Sequence, residues 1–239
     1  MKSARVLAIV PAHNEADSLP GVIREVRTGA PDLDLLVVDD GSTDASLALL
    51  RRAKVRHVHW DERMGVGAAV RAGLTYADRL GYSCAVRLDG DGQHPASQID
   101  QLLRPIREER ADLVIGSRYR DGGTYPSPRG RRLAQWALAR GLSMMTRGQV
   151  TDPTSGFLAF GPAAIDLLAE HHPGGYGEPE LLLYLWRSHL RVLEVPVEMR
   201  ERIAGQTSLT MLRLLGTAAR MLLVVLVTPL RPAPRGARS

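Results

Sequence analysis

Leu19, Val22, Ile23 and Val26 fall at i, i+3, i+4 and i+7, and Ile99, Leu102, Leu103 and Ile106 repeat that spacing. Each set places an apolar stripe along one side of a helix. Val70, Leu74 and Ala77 do the same for a segment opened by Gly65-Val66-Gly67. Between these segments lie short apolar runs at Val6 to Val10, Leu35 to Val38, Val55 to His59, Ala85 to Leu88 and Leu113 to Ile115. They have strand length and are bounded by Gly, Asp, Ser and Pro, so the chain reads as α/β, with helices covering a sheet. The longest irregular stretch, Arg120 to Pro128, is a candidate lid. From Arg129 the pattern changes to a long helix, Arg129 to Thr146, carrying Leu133, Trp136, Ala137, Leu138, Leu142 and Met145. Asp152-Pro153-Thr154-Ser155-Gly156-Phe157, a helix near Ala163 to Glu170, the segment Glu178-Pro179-Glu180 and a strand Val192 to Val197 follow.

With 239 residues and 44% hydrophobic content, the chain can bury the core of one domain with a small appendage, but two independent domains are not expected. Its single cysteine, Cys84, lies inside an apolar run, fits a small core residue and suits a reducing cytoplasm. The apolar amino-terminal run is shorter than a signal-peptide core and reads as the first strand. The net charge of +5 is uneven, for Arg213, Arg220, Arg231, Arg235 and Arg238 lie beyond Met211 with no acidic residue among them. Met221 to Leu230 is too short for the roughly 20 apolar residues of a membrane span. It reads either as an interfacial helix on anionic lipid or as a core helix followed by a basic tail.

The chemistry concentrates where strands end. Asp89-Gly90-Asp91-Gly92-Gln93-His94 directly follows the run Cys84 to Leu88. Two carboxylates and an amide on a tight turn are hard oxygen ligands of the kind Mg²⁺ or Mn²⁺ takes when water and phosphate complete its shell. Gly90 and Gly92 are expected to bend the chain through positive φ, on a turn exposed to solvent. A diphosphate is the expected partner. A second acidic turn, Asp39-Asp40-Gly41-Ser42-Thr43-Asp44, also follows a strand, and ligands of open α/β sheets bind outside the carboxyl ends of strands. Ser42, Thr43 and Asp44 are also good helix caps, so Asp44 is assigned to capping and Asp40 to hydrogen bonding with the base or ribose. The Gly65 to Ala69 turn can approach phosphates at a helix amino end, but it lacks the third glycine of a dinucleotide fingerprint and follows the wrong strand. The pairs His57/His59 and His171/His172 lack a convincing third ligand for zinc.

Taken in order, Pro11-Ala12-His13-Asn14-Glu15, Val38 to Asp44, Gly65-Val66-Gly67, Asp89 to His94, Gly116-Ser117-Arg118, Asp152 to Phe157 and Arg202-Ile203-Ala204-Gly205-Gln206-Thr207-Ser208 make the chain resemble the family 2 glycosyltransferases. Within these it is similar to the dolichol-phosphate mannose synthase and polyprenyl-phosphate glycosyltransferase group, from Val10 to about Ser208. The resemblance implies a GT-A fold, a Rossmann-like mixed sheet with helices on both faces. It also implies a nucleotide-sugar donor such as a UDP- or GDP-hexose, a divalent metal and inversion at the anomeric carbon. Residues 1–208 would form the catalytic domain, with a donor half to about 118 and an acceptor half beyond it; residues 209–239 would form an amphipathic membrane-proximal helix and basic tail.

On this reading Asp91 is the first metal ligand, Gln93 lies beside it, and Asp89 is either a ligand or an acceptor for sugar hydroxyls. Pro11, Ala12, Glu15, Asp40, Gly67, Asp89 and Gly90 would line the nucleotide-sugar slot, while His13 stands where the family usually has an aromatic. Arg118, Arg131 and Arg202 are candidate cations for the leaving group and an anionic acceptor, because a guanidinium offers bidentate donors to phosphate. Glu180 is the carboxylate the resemblance places near the acceptor cleft; an acidic first helical turn is its other reading. The expected partners are the nucleotide sugar and a polyprenyl phosphate, with peripheral contact at the cytoplasmic face of the membrane, room for a small membrane protein partner, and no nucleic acid. A soluble transferase acting on a small metabolite or cell-wall glycan, and an idle nucleotide-sugar binding subunit, are the competing readings.

Overall fold

A computed structural model describes residues 5–122, 129–146, 150–171 and 178–200. The strands are β1 (Val6–Ala12), β2 (Asp34–Asp40), β3 (Arg56–Trp60), β4 (Cys84–Arg87), β5 (Leu113–Ser117), β6 (Leu158–Phe160) and β7 (Val192–Pro196). They form one sheet in the order β3-β2-β1-β4-β6-β5-β7. β6 runs antiparallel to both β4 and β5, and the other pairs are parallel. The helices are α1 (Leu19–Gly29), α2 (Ser46–Arg52), α3 (Val66–Arg79), α4 (Ile99–Arg107), α5 (Arg129–Thr146), α6 (Pro162–His171) and α7 (Glu178–Arg187).

Alternation along β1 divides the core. Val6, Ala8 and Val10 pack with Leu19, Val22, Ile23 and Val26 of α1 and with Ile99, Leu102, Leu103 and Ile106 of α4. Leu7 and Ile9 face the opposite layer, built from Val70 and Leu74 of α3, Ile165 and Leu168 of α6, and Leu181 and Leu185 of α7. All three predicted stripes are therefore buried, those of α1 and α4 on one side of the sheet and that of α3 on the other.

Two elements differ from the sequence reading. β2 runs on through Asp39 and Asp40, which pair with Ala12 of β1 and Trp60 of β3, where an acidic turn was expected. Both aspartates are buried, because neighbouring backbone and side-chain donors satisfy their carboxylates. β6 was not anticipated: three residues are too few to display a period, and the element exists only through its pairing with β4 and β5. The candidate lid falls mostly in residues 123–128, and the carboxyl-terminal helix and tail in residues 201–239, outside the described residues.

The order of the strands places the site. From β1 the chain builds β2 and β3 on one side, then returns to lay β4 on the other. That reversal opens a crevice outside the carboxyl ends of β1 and β4. Because β6 is antiparallel, its beginning lies at the same edge, with Leu158 opposite both Arg87 and Ile115, and it delivers Asp152 to Phe157 to the crevice.

α3 crosses β1 at Gly73, where an added Cβ would lie 2.5 Å from Ile9 Cγ2. Gly73→Ala should gain about 1 kcal/mol of helix propensity but lose about 1–3 kcal/mol to overpacking. The expected result is a lower urea midpoint with an unchanged slope.

Candidate active site at the strand ends

The Asp89 to His94 turn is held from all sides. Arg87, a buried arginine at the end of β4, donates from Nε and Nη2 to Asp89 Oδ1 at 3.2 and 3.0 Å. The Asp89 N–H donates to His94 Nδ1 at 2.9 Å, and the His94 ring stacks on the buried Phe157 at 4.8 Å between centroids. Asp91 Oδ1 accepts the Gln93 N–H at 3.0 Å. Only 2% of Asp91 is exposed, so the turn lies in the floor of the crevice and not on an exposed surface as expected. Only one of the two expected bends is left-handed: Gly92 has φ +78°, whereas Gly90 does not adopt positive φ. Gly90 lets the turn lie close to β1, since a Cβ there would stand a tight 3.3 Å from the Pro11 carbonyl oxygen. Gly156 has the same function opposite, where a Cβ would collide with the Asp89 carboxylate and Arg87 Nη2.

The other wall is formed by the loops after β1 and β2, which interlock. Asn14, in left-handed conformation, accepts the Thr43 and Asp44 N–H groups on Oδ1, while its own N–H donates to Ser42 Oγ. The Glu15 N–H donates to Ser46 Oγ, and Glu15 Oε2 accepts from Ser18 Oγ at 2.8 Å. His13 Nδ1 lies 2.7 Å from the Asp40 carbonyl oxygen, which can only accept, so this nitrogen carries the proton. Asp44 accepts the Ser46 N–H at the start of α2 and also the Ala16 N–H, although Ala45, and not Asp44 as expected, holds the N-cap position. The Asp40 carboxylate accepts the N–H groups of Met64 and Gly65 at 2.6 to 3.0 Å and so fixes the turn that opens α3, with Gly65 at φ +95° and Gly67 in the first helical turn.

Arg118 and Asp152 form a buried pair: Nε donates to Oδ2 at 2.6 Å, Nη2 to Oδ1 at 2.7 Å, and the Arg118 N–H to Oδ2 at 3.1 Å. Thr154 Oγ1 joins the pair to Gln135 of α5, and Gln135 accepts from the Tyr119 hydroxyl. Arg118, expected as a phosphate contact, thus has the two-donor side of its guanidinium on Asp152 and braces the start of β6. Glu194 of β7 is buried below; it accepts the N–H groups of Thr151 and Asp152 and the Thr151 hydroxyl, and burial raises its pKa.

Of the residues that the sequence assigned to the donor slot, Gly90 lies against Pro11, Ala12 and Glu15, Asp89, Asp91 and Gln93 share its turn, and Asp40 bonds the Gly65 turn that opens α3 just before Gly67. Arg131 lies on α5 and Glu180 is the third residue of α7, but their side chains are outside the described residues, as is all of Arg202. Sequence reasoning gave no role to His94, Gly156, Arg87 or Glu194. A charged residue inside an apolar strand was the available signal for Arg87 and Glu194.

Among the described residues, no three His, Cys, Asp or Glu side chains cluster as a metal cage. His57 bonds its own chain at the Val55 carbonyl, and His59 bonds Asp39. Asp89, Asp91 and Gln93 offer few protein oxygens, the donor set of an ion such as Mg²⁺ that keeps water and phosphate in its shell. His94 does not add a ligand in this geometry: its Nδ1 accepts the Asp89 N–H, so in the neutral ring Nε2 carries the proton.

The mixed seven-stranded sheet with helices on both faces and a carboxylate-bearing turn at its topological switch point is that of the GT-A fold transferases. The chain belongs to glycosyl transferase family 2, whose model matches residues 7–165, and it is a glycosyltransferase. It is 34% identical over 215 residues to the undecaprenyl-phosphate mannosyltransferase of Micrococcus luteus, covering 86% of this chain and 88% of that protein. It is equally 34% identical over 216 residues to the polyprenol monophosphomannose synthase of Mycolicibacterium smegmatis, covering 86% and 81%. Its fold matches the glucosyl-3-phosphoglycerate synthase of Mycobacterium tuberculosis, crystallised with Mn²⁺, uridine diphosphate and phosphoglyceric acid, with a TM-score of 0.69 at 23% identity over 95% of this chain and 78% of that one.

Burial lowers the pKa of His94, holding the ring neutral. Below the unfolded-state value of about 6.5, the unfolded chain takes up a proton that the native chain refuses, so this contribution to stability is present above that pH and is lost as pH falls. The melting temperature should drop between pH 7.5 and 5.5. His94→Asn keeps an acceptor for the Asp89 N–H and should reduce that drop, as read by parallel thermal melts.

Proposed function

We propose that this protein is a metal-dependent, inverting glycosyltransferase that moves a hexose from a UDP- or GDP-sugar to a polyprenyl phosphate, working as a peripheral protein at the cytoplasmic face of the membrane. The observation that carries the acceptor reading is the two-sidedness of α5. One side is tied into the crevice through Gln135, which bonds Thr154 and Tyr119, and is packed through the buried Leu142. The opposite side exposes Leu133, Trp136 and Met144 at 66, 62 and 74%, flanked by the exposed Arg132 and Arg140. A helix with aromatic and aliphatic residues outward and arginines alongside suits an anionic lipid surface. A polyprenyl phosphate must keep its phosphate in a polar crevice and its chain in lipid, and α5 spans those two requirements. No helix among the described residues is long and apolar enough to cross a membrane. The two relatives named for undecaprenyl-phosphate and polyprenol mannose transfer support the same reading.

Asp91, Asp89 and Gln93 would hold the divalent ion. When bound, it supplies Lewis-acid stabilisation of the charge that develops on the departing nucleoside diphosphate. The chain's own work is placement. Asp40 sets the amino end of α3 toward the donor, Arg87 and His94 keep Asp89 and Asp91 in one geometry, and the Arg118–Asp152 pair fixes the entry to β6. A phosphate monoester, with a second pKa of about 6, is largely ionised near neutral pH, so the acceptor oxygen attacks without a strong base. Arg131 and Arg202 are candidate cations for the leaving group and the acceptor phosphate, and the family resemblance assigns Glu180 to the acceptor side.

Asp91→Asn retains an acceptor for the Gln93 N–H and should fold. It should nevertheless lose Mn²⁺-dependent nucleotide binding by calorimetry and about 10²–10³-fold in turnover. Full activity in this variant would refute the metal assignment.

Trp136→Asp, on the exposed side of α5, should leave nucleotide affinity and melting temperature near those of the parent. Flotation with anionic liposomes and transfer to polyprenyl phosphate should fall. A parent enzyme that ignores liposomes and glycosylates a soluble alcohol faster than polyprenyl phosphate would establish the soluble-acceptor reading instead.

A further inference from the structure

Beyond β7 the chain continues in extended form through residues 197–200, and three glutamine side chains bond the backbone of every second residue along it. Gln101 of α4 donates from Nε2 to the Pro196 carbonyl at 2.8 Å. Gln98 donates from Nε2 to the Glu198 carbonyl at 3.2 Å and accepts the Glu198 N–H on Oε1 at 3.0 Å. Gln93 donates from Nε2 to the Arg200 carbonyl at 3.3 Å, and its own carbonyl accepts the Arg200 N–H at 3.0 Å. Val197, between these rungs, turns its N–H the other way, to the Ser117 carbonyl of β5 at 2.9 Å. Successive residues of an extended chain point to opposite sides, so one edge of the segment is held by β5 and the other by glutamines. Arg200 adds an ion pair to Glu25 of α1 at 2.8 Å, and Glu25 also accepts the Ala96 N–H.

The glutamines are not all remote from the chemistry. The Gln93 N–H donates to Asp91 Oδ1 while its side-chain amide holds Arg200. The metal-binding turn and the segment leading to Arg202-Ile203-Ala204-Gly205-Gln206-Thr207-Ser208 are therefore bonded to the same residue. A slide of the segment by one residue would turn its bonding groups away from every rung at once, which makes the ladder a register device and not a single tether.

We propose that this glutamine ladder sets the register of residues 196–200 against the metal-binding turn, and that Gln98 and Gln101 are thereby positioning residues for the acceptor side of the reaction. The inference rests on the acceptor reading given above. Gln98 and Gln101 lie outside the turn, so their loss should alter acceptor use and turnover while donor binding stays intact. Bonds from the amide groups to both carbonyls are donor bonds, so the requirement at Gln101 is specifically for an N–H.

The test compares the full-length parent with a Gln98→Ala, Gln101→Ala double variant. Expected are a parent-like melting temperature and Mn²⁺-dependent nucleotide affinity, a raised KM for polyprenyl phosphate, and a kcat lowered about 10- to 100-fold, the cost of a small misplacement at a reacting centre. Amide hydrogen exchange at Glu198 and Arg200 should quicken. Gln101→Lys, which keeps a donor, should stay near the parent, whereas Gln101→Glu should behave as Gln101→Ala. Parent-like acceptor kinetics in the double variant, or donor affinity lost in step with transfer, would overturn the proposal. If the parent transfers nothing to polyprenyl phosphate, the acceptor reading fails separately and exchange alone decides the ladder. Slower exchange at Arg200 on adding Mn²⁺ and nucleoside diphosphate, present in the parent and absent in the double variant, supports it; the same response in both refutes it.

Discussion

Buried carboxylates at the carboxyl edge of the sheet must find donors, and most of those donors are backbone N–H groups of neighbouring loops. A carboxylate removed from water without such partners costs several kcal/mol, of order the stability of a domain. Asp40 draws in Met64 and Gly65, Glu194 draws in Thr151 and Asp152, and Asp91 holds Gln93 of its own turn, while the exposed Asp44 joins Ala16 to Ser46. Asp40 and Glu194 each fix a loop that belongs to another element, so those irregular segments have little freedom to rearrange separately. Side-chain donors finish the work where the backbone does not reach, as at Asp39 with His59 and at Asp152 with Arg118.

The proposed metal ligands are held within the same arrangement. Asp89 is held by Arg87 and lies against Gly156, whose missing side chain gives it room. Asp91 is buried beside it on a turn that a neutral His94 keeps in shape. The turn is thus organised before a ligand arrives, which lowers the cost of ordering it during binding. Across the crevice, α5 belongs at once to the hydrogen-bonded interior, through Gln135, and to an exposed apolar surface, through Trp136. The proposed transfer, from a donor that dissolves in water to an acceptor that dissolves in lipid, would need an element of that kind.

Much of this was legible in the order of the residues. The helix stripes, six of the seven strands, the Asp89 to His94 turn and its position after a strand follow from periodicity and local turn chemistry, which act over a few residues. The close approach of the turn after β4 to the end of β1 was also legible, since both lie where strands give way to loops. Three features depended on the tertiary structure. β6 is three residues long and owes its existence to partners in β4 and β5. The aspartates at the end of β2 are strand residues because distant groups satisfy them: N–H donors from the turn before α3 for Asp40, and His59 from β3 for Asp39. Arg118 and Asp152 are 34 residues apart and became a pair through an antiparallel strand that no local pattern announced. Sequence thus determined what is governed by neighbours along the chain. Which carboxylates brace the fold was decided by donors brought together only when the sheet closed, because satisfying a buried charge is a property of the space around it.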